Sequence, residues 1–295
     1  MAASIVVFGS LNMDLMVRVE RNPRSGETLR GLGFLTNPGG KGANQAVACA
    51  RQGASVSMVG CVGNDSFGET LRTALAADGI DVSNVRAAEV STGVAIVTVD
   101  AQGENSITII PGANEFVKAK PEALAGQFLL LQCEVPMVEV VEAARLMRAR
   151  GATVVLNPAP ACQLPDELWS LVNIIVMNEI EASELSGVCV KDPESASIAA
   201  SSILKRGPTT VMVTLGSQGV LLADGDERRH FPSKQVAVVD TTAAGDTFIG
   251  AMCAARAAGK SMSQAVIRGI DAATICITRP GAQASIPFLH GMTSA

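Results

Sequence analysis

The chain has 295 residues, 48% of them hydrophobic and 17% charged, and a formal net charge of -5. That is enough apolar material for one large core, and without a cationic face the chain is a poor match for nucleic acid or for an anionic membrane surface. The 7 cysteines form no CxxC pair, which fits reduced thiols in a cytoplasmic protein better than a disulfide framework.

The opening MAASIVVFGS lacks the basic n-region and apolar length of a signal peptide, and no later run approaches the ~20 residues of a membrane span. In chain order, strands are expected at SIVVFG (4–9), SVSMVG (55–60), FLLLQC (128–133), TVVLNPA (153–159), NIIVMN (173–178) and TTVMVTLG (209–216). Alanine-rich amphipathic stretches separate them, a βαβ pattern that predicts an α/β fold. Two regions break the pattern, 17–40 and 92–114, with alternating polarity and glycine turns. They read as hairpins of a small β appendage placed to close over a pocket, although plain surface hairpins look the same. A further strand, VAVVD, is expected to end at Asp240, with a helix starting near Ala243, and HGMTSA reads as a loose tail.

Several chemistries are excluded by what is missing. No GxxxxGK[ST] occurs: Lys41, in NPGGKGANQA, lacks the upstream glycine and following hydroxyl of a phosphate loop, and no GxGxxG follows the first strand. His230 and His290 are far from every motif and argue against a histidine triad or zinc site. What remains is DTTAAGDTF (240–248). Ala243, Ala244 and Gly245 are small enough for a ligand to approach the first turn of the helix, whose unpaired N–H groups suit a phosphoryl group. Asp246 then reads either as a helix cap or as a general base beside that anion hole, with Asp240 as a second carboxylate nearby.

Asn12 and Asp14 in GSLNMD, with Asn44 and the backbone of Gly39 and Gly40, can pair with neighbouring hydroxyls of a sugar or polyol. Glu134, Asn178 and Glu181 follow apolar strands, where α/β ligands bind, with helix capping as the alternative for Asn178. Thr214 to Gly219 reads as strand, turn, strand.

In this order the motifs resemble the ribokinase branch of the PfkB sugar-kinase family over nearly the whole chain. NPGGKGANQAVACARQGA is similar to its amino-terminal signature, NEIE to its nucleotide and metal motif, DTTAAGDTF to its carboxy-terminal signature, and TRPGAQASIP to the closing segment of the ribokinase branch. The resemblance implies a single domain over 1–295 with a doubly wound, mostly parallel sheet flanked by helices. A β lid from about 15–40 and 92–114 would often clasp a second copy in a homodimer. It implies ATP-dependent phosphorylation of D-ribose at O5; 2-deoxyribose, another sugar or a nucleoside as substrate, or a non-catalytic sugar-binding protein, stay open as alternatives. Asp246 would be the base, and the amides of Ala243, Ala244 and Gly245 the anion hole. Asn12, Met13, Asp14, Gly40, Lys41, Gly42, Ala43, Asn44 and Glu134 would line the sugar pocket. Asn178, Thr214, Leu215, Gly216, Ser217, Gln218 and Gly219, with Gly245 and Asp246, would contact ATP. Glu181 would hold Mg2+ through water. Asp240, Thr242, Cys276, Arg279, Gly281 and Ser285 would surround K+, with Cys276 and Arg279 offering backbone carbonyls only. At Ile270 the chain departs from relatives that place asparagine or histidine near the adenine.

Overall fold

Short runs of β-branched and aliphatic residues, buried on both faces, form the strands of a large sheet, as parallel strands covered by helices require. The computed structural model describes residues 4–102 and 105–292, so the end of the expected tail and two residues of the second β region lie outside the described residues. In chain order it contains β1 (Ile5–Phe8), β2 (Asn12–Arg18), β3 (Gly33–Gly39), α1 (Lys41–Arg51), β4 (Val56–Gly63), α2 (Ser66–Ala77), β5 (Asp81–Ala88), β6 (Gly93–Val99) and β7 (Asn105–Ile110). There follow β8 (Phe128–Leu131), α3 (Met137–Ala149), β9 (Thr153–Leu156), α4 (Asp166–Leu171), β10 (Ile174–Met177), α5 (Glu179–Ser186) and α6 (Pro193–Leu204). The chain then runs through β11 (Thr210–Thr214), β12 (Val220–Asp224), β13 (Glu227–Phe231), α7 (Ala244–Ala257) and α8 (Met262–Cys276).

Nine strands form one sheet in the order β13-β12-β11-β10-β9-β8-β1-β4-β5, parallel from β5 to β11, with β12 antiparallel to both neighbours. Helices α3 to α6 pack on one face and α1, α2, α7 and α8 on the other, giving two apolar cores. From β1 the chain moves outward to β4 and β5, then returns to β8 on the other side of β1. The connection order therefore reverses between β1 and β8, and ligands of such sheets bind outside the carboxyl ends of the strands at that point. The second sheet, β3-β2-β6-β7, is a separate four-stranded layer whose first strand, β2, is separated by three residues from the end of β1 at the switch point. Among the described residues no helix is long and apolar enough to cross a membrane.

Two sequence expectations change. The run at 236–240 is not a strand: the N–H groups of Val239 and Asp240 both turn to the Ile277 carbonyl, at 2.8 and 3.3 Å, and among the described residues no strand pairs with the segment. β-branched residues favour extended backbone, but a strand also needs a neighbour to complete its ladder. Conversely, β5 and β13 form the two edges of the sheet from polar sequences such as ERRHF, whose charges suit an unpaired edge.

Candidate active site

Helix α7 opens with Ala243 as its N-cap in the left-handed conformation (φ 61°), which costs a residue with a side chain about 1 kcal/mol. No side chain caps the helix. The Ala244 N–H donates to the Thr241 carbonyl at 3.2 Å, closing the turn, while those of Gly245 and Asp246 have no partner within the helix. Of the expected anion-hole amides, that of Ala244 is thus engaged by the turn, while those of Ala243 and Gly245 have no hydrogen-bond partner among the described residues; Asp246 adds a further free donor. Apart from its chain neighbours and the backbone of its own helix, no atom of the described residues lies within 4 Å of where a Gly245 side chain would begin. Asp246 itself is buried, 8% exposed. Its Oδ2 accepts from Asn44 Nδ2 at 3.1 Å and its Oδ1 from Gln45 Nε2 at 3.0 Å, both on α1. The helices come this close because Gly250 has no side chain: a Cβ there would sit 2.3 Å from that of Ala48.

On one side of Asp246 are groups suited to hydroxyls. Glu134, just past β8, accepts from the Ser10 hydroxyl and from the Lys41 N–H at 3.1 Å. Asn114 Nδ2 donates to Asn12 Oδ1 at 2.8 Å, which leaves Asn12 Nδ2 as the donor for a ligand. Burial raises the Asp14 carboxyl from 3.8 to about 7, and the charges of Glu134 and Asp246 add to the effect. Burial opposes the charge of the Lys41 ammonium, but the carboxylates of Asp246, Glu134 and Glu181 outweigh it and hold its pKa above the usual value. Met13, Gly42 and Ala43 do not present side chains here. Met13 points to the opposite face of β2 and joins the core with Ala43, while Gly42 N–H donates to Ser10 Oγ at 3.3 Å.

On the other side, Lys41, Asn178, Glu181, Thr214, Gly245 and Asp246 line a cavity of about 220 Å³. It continues into a groove of about 390 Å³ whose walls include Thr214, Gly216, Ser217, Gly219, Val236, Val238, Ile270 and Ile277. Ile270 is therefore part of the groove. Leu215 and Gln218 are not: Leu215 is 1% exposed in the core, and Gln218 Nε2 donates to the Lys191 carbonyl at 2.9 Å. Asn178 caps α5, accepting from Glu181 N–H at 2.8 Å, while its own N–H and Nδ2 donate to the two Glu181 oxygens at 2.9 and 3.1 Å. Burial raises the Glu181 pKa despite these bonds. Among the described residues no group of three or more His, Cys, Asp or Glu could hold a metal unaided.

The DTT turn meets the segment after α8. Asp240 Oδ1 accepts from Thr242 N–H at 2.8 Å and from its hydroxyl at 2.6 Å, and Oδ2 accepts from Gly281 N–H at 2.9 Å. Cys276 Sγ lies 3.0 Å from Ser285 Oγ and 3.7 Å from the Thr242 carbonyl. Arg279 is exposed, and its N–H donates to the Cys276 carbonyl at 3.0 Å.

Polar residues that the motif reading passed over lie beneath these groups: Ser10, Gln45, Asn114, Gln132 and Asn157, all buried. The available signal was weak. Gln132 and Asn157 are polar residues closing apolar strand runs, FLLLQ and TVVLN, where a polar side chain needs a partner.

The pattern of the pfkB family carbohydrate kinases matches residues 2–289. The chain belongs to that family. This carbohydrate kinase is 44% identical over 294 residues to ribokinase of Haemophilus influenzae, covering 97% of its own length and 96% of that protein. It is also 35% identical to deoxyribokinase of Salmonella typhi, with 97% and 96% covered. The structure of Arabidopsis thaliana ribokinase complexed with ribose and ATP superposes on the kinase with a TM-score of 0.93 at 34% identity, covering 99% of this chain and 98% of the other.

Proposed function

We propose that this kinase transfers the γ-phosphoryl group of ATP to O5 of D-ribose, giving D-ribose 5-phosphate and ADP. The observation that carries the reading is the place of Asp246: a buried carboxylate between a cluster of hydroxyl-matching groups and a cavity edged by the unpaired N–H groups opening α7. Asn12, Asp14, Asn44 and Glu134 hold the sugar with its primary hydroxyl against Asp246. The carboxylate takes the O5 proton as the O5–P bond forms and the bond from phosphorus to the β,γ-bridging oxygen breaks, leaving ADP. The Gly245 and Asp246 N–H groups and the positive end of α7 stabilise the charge on the transferring group, and Lys41 adds a cation in the same cavity.

Mg2+ takes oxygen ligands, keeps several waters and binds through one or two carboxylates plus substrate phosphates. Glu181, held by Asn178 on the wall of the smaller cavity, fits that donor set, and the ion would neutralise phosphate charge there. K+ is assigned to the oxygens of Asp240, Thr242, Cys276, Arg279, Gly281 and Ser285, where it would brace the turn preceding α7. The free thiols fit a reducing compartment, the cytoplasm. A second copy of the chain is the proposed partner of the lid.

The relation to a ribokinase and to a ribose and ATP complex supports ribose, and the relation to a deoxyribokinase supports 2-deoxyribose as the second reading. ADP release measured across pentoses, hexoses and nucleosides decides between them. With ribose as the substrate, 2-deoxyribose leaves a buried acceptor unpaired and reacts with kcat/KM lower by up to ~10⁴. Equal efficiency on the two sugars overturns the ribose assignment. Asp246→Asn should lower kcat by about 10² to 10⁴ while leaving ribose affinity, read by calorimetry, near the parent value. A variant within a few-fold of the parent rate would leave Asp246 as a helix cap.

A further inference from the structure

The amides beneath Asp246 form a connected chain that phosphoryl transfer alone does not call for. The Val176 carbonyl in β10 accepts from Asn157 Nδ2 at 3.0 Å. A carbonyl can only accept, so this contact fixes which end of the Asn157 amide is which and turns Oδ1 toward α1. There Oδ1 accepts from Gln45 Nε2 at 3.2 Å, and the second hydrogen of that nitrogen goes to Asp246 Oδ1, at 3.0 Å. On its other side Gln45 Oε1 accepts from Gln132 Nε2 at 2.7 Å. The Gln45 amide is thereby engaged at both ends. Turning it over would set its oxygen against the Asp246 carboxylate and the Asn157 carbonyl oxygen.

The supports of this chain are rigid. Gln132 follows β8, Asn157 follows β9 and Val176 lies in β10, three adjacent parallel strands, and Gln45 and Gln132 are both 0% exposed. Room for Gln132 depends on Gly9, where a Cβ would sit 1.9 Å from Gln132 Oε1. Asn44 holds the other oxygen of Asp246, but it stands among the groups matched to the sugar, and its Oδ1 has no partner among the described residues. Gln45, fully buried, is the partner of the carboxylate that stands outside the groups matched to the sugar.

We infer that Gln45 is a positioning residue for the phosphoryl transfer: anchored by Gln132 and Asn157, it sets the rotation of the Asp246 carboxylate so that a free lone pair faces the sugar hydroxyl. This rests on the reading of Asp246 as the general base. A carboxylate free to turn presents that lone pair only part of the time, and misplacement of a reacting group costs up to about 10²-fold in rate.

Gln45→Met keeps the length of the side chain and removes its hydrogen bonds. The single-turnover rate, which product release cannot mask, should fall by about 10- to 100-fold, with ribose affinity in the absence of nucleotide unchanged. In an Asp246→Asn background the same substitution should cause no further fall, because the group it acts through is gone. A parent-like rate for Gln45→Met, or an equal loss in both backgrounds, overturns the inference. Asp246→Asn by itself reports on the base: if it is active, that reading fails whatever Gln45 does. Should Gln45→Met not fold, Gln132→Met cuts the chain one link further away. It should slow the same step, again only while Asp246 is present, and a parent-like rate or an equal loss in both backgrounds overturns the inference there too.

Discussion

Asp14 is a carboxylate whose charge is opposed by its surroundings. Burial, helped by Glu134 and Asp246, raises its pKa from 3.8 to about 7, so folding favours its protonated form. The stability linked to that proton is complete below 3.8 and is lost as pH rises through about 7. Asp14→Asn is neutral at every pH and escapes the loss. Its melting temperature relative to the parent should therefore climb between pH 5 and pH 8, which scanning calorimetry can follow; a constant difference would mean that the Asp14 carboxylate is solvated. Asp14, Asn44, Glu134 and Asp246 could be singled out in the sequence because each lies in a short polar cluster beside an apolar run, a pattern with local cause. That they come close to one another, with Asn44 bonded to Asp246 and Asp14 within reach of the charges of Glu134 and Asp246, is a tertiary fact. Gln45, Gln132 and Asn157 left almost no trace, since a buried amide is made useful by partners as far as 201 positions away, as Gln45 and Asp246 are.

Within the large sheet, the strands legible in sequence were those buried on both faces: β1, β4 and β8 to β11 read as apolar runs. The edge strands β5 and β13 mix charge with apolar residues, so only their neighbours reveal them. The segment at 236–240 shows the reverse error, a strand-like composition with nothing to pair with, and its freedom from the sheet lets Val236 and Val238 line the groove. At the end of this segment Asp240 ties two loops together. Partial burial works against its charge, yet hydrogen bonds from the Thr242 side chain and backbone and from Gly281 hold its pKa below the usual carboxylate range. It is thus both a turn residue and a fixed negative charge beside the turn that opens α7. Replacing sodium by potassium at constant ionic strength should raise the rate of the parent, and Asp240→Ala should largely abolish that response. An equal response in both proteins would leave Asp240 with its turn alone.

For the whole molecule, the small sheet β3-β2-β6-β7 stands out because it leaves large apolar side chains exposed. Register places Leu35, Met16, Val97 and Ile107 opposite one another across its four strands, on the face that also carries Asp14 two residues along β2. Leu35 and Ile107 are each 57% exposed, and on the opposite face Phe34 is 62% exposed. Protein monomers seldom leave so much contiguous apolar surface in water, and a sheet face of this size is most simply covered by its equal in a second copy, related by a two-fold axis. Covering it would also steady β2 and hence Asp14 over the sugar, coupling assembly to ribose binding. The parent should sediment as a dimer, and Leu35→Glu combined with Ile107→Glu should sediment as a monomer, because charges facing each other across such an axis lose their water without gaining a partner. The same variant should show a higher KM for ribose than the parent shows, with the KM for ATP much less affected, since the lining of the groove proposed for the nucleotide comes from outside the small sheet. A parent that sediments as a monomer at every concentration would mean that the row Leu35, Met16, Val97 and Ile107 serves only to roof the sugar cavity of its own chain.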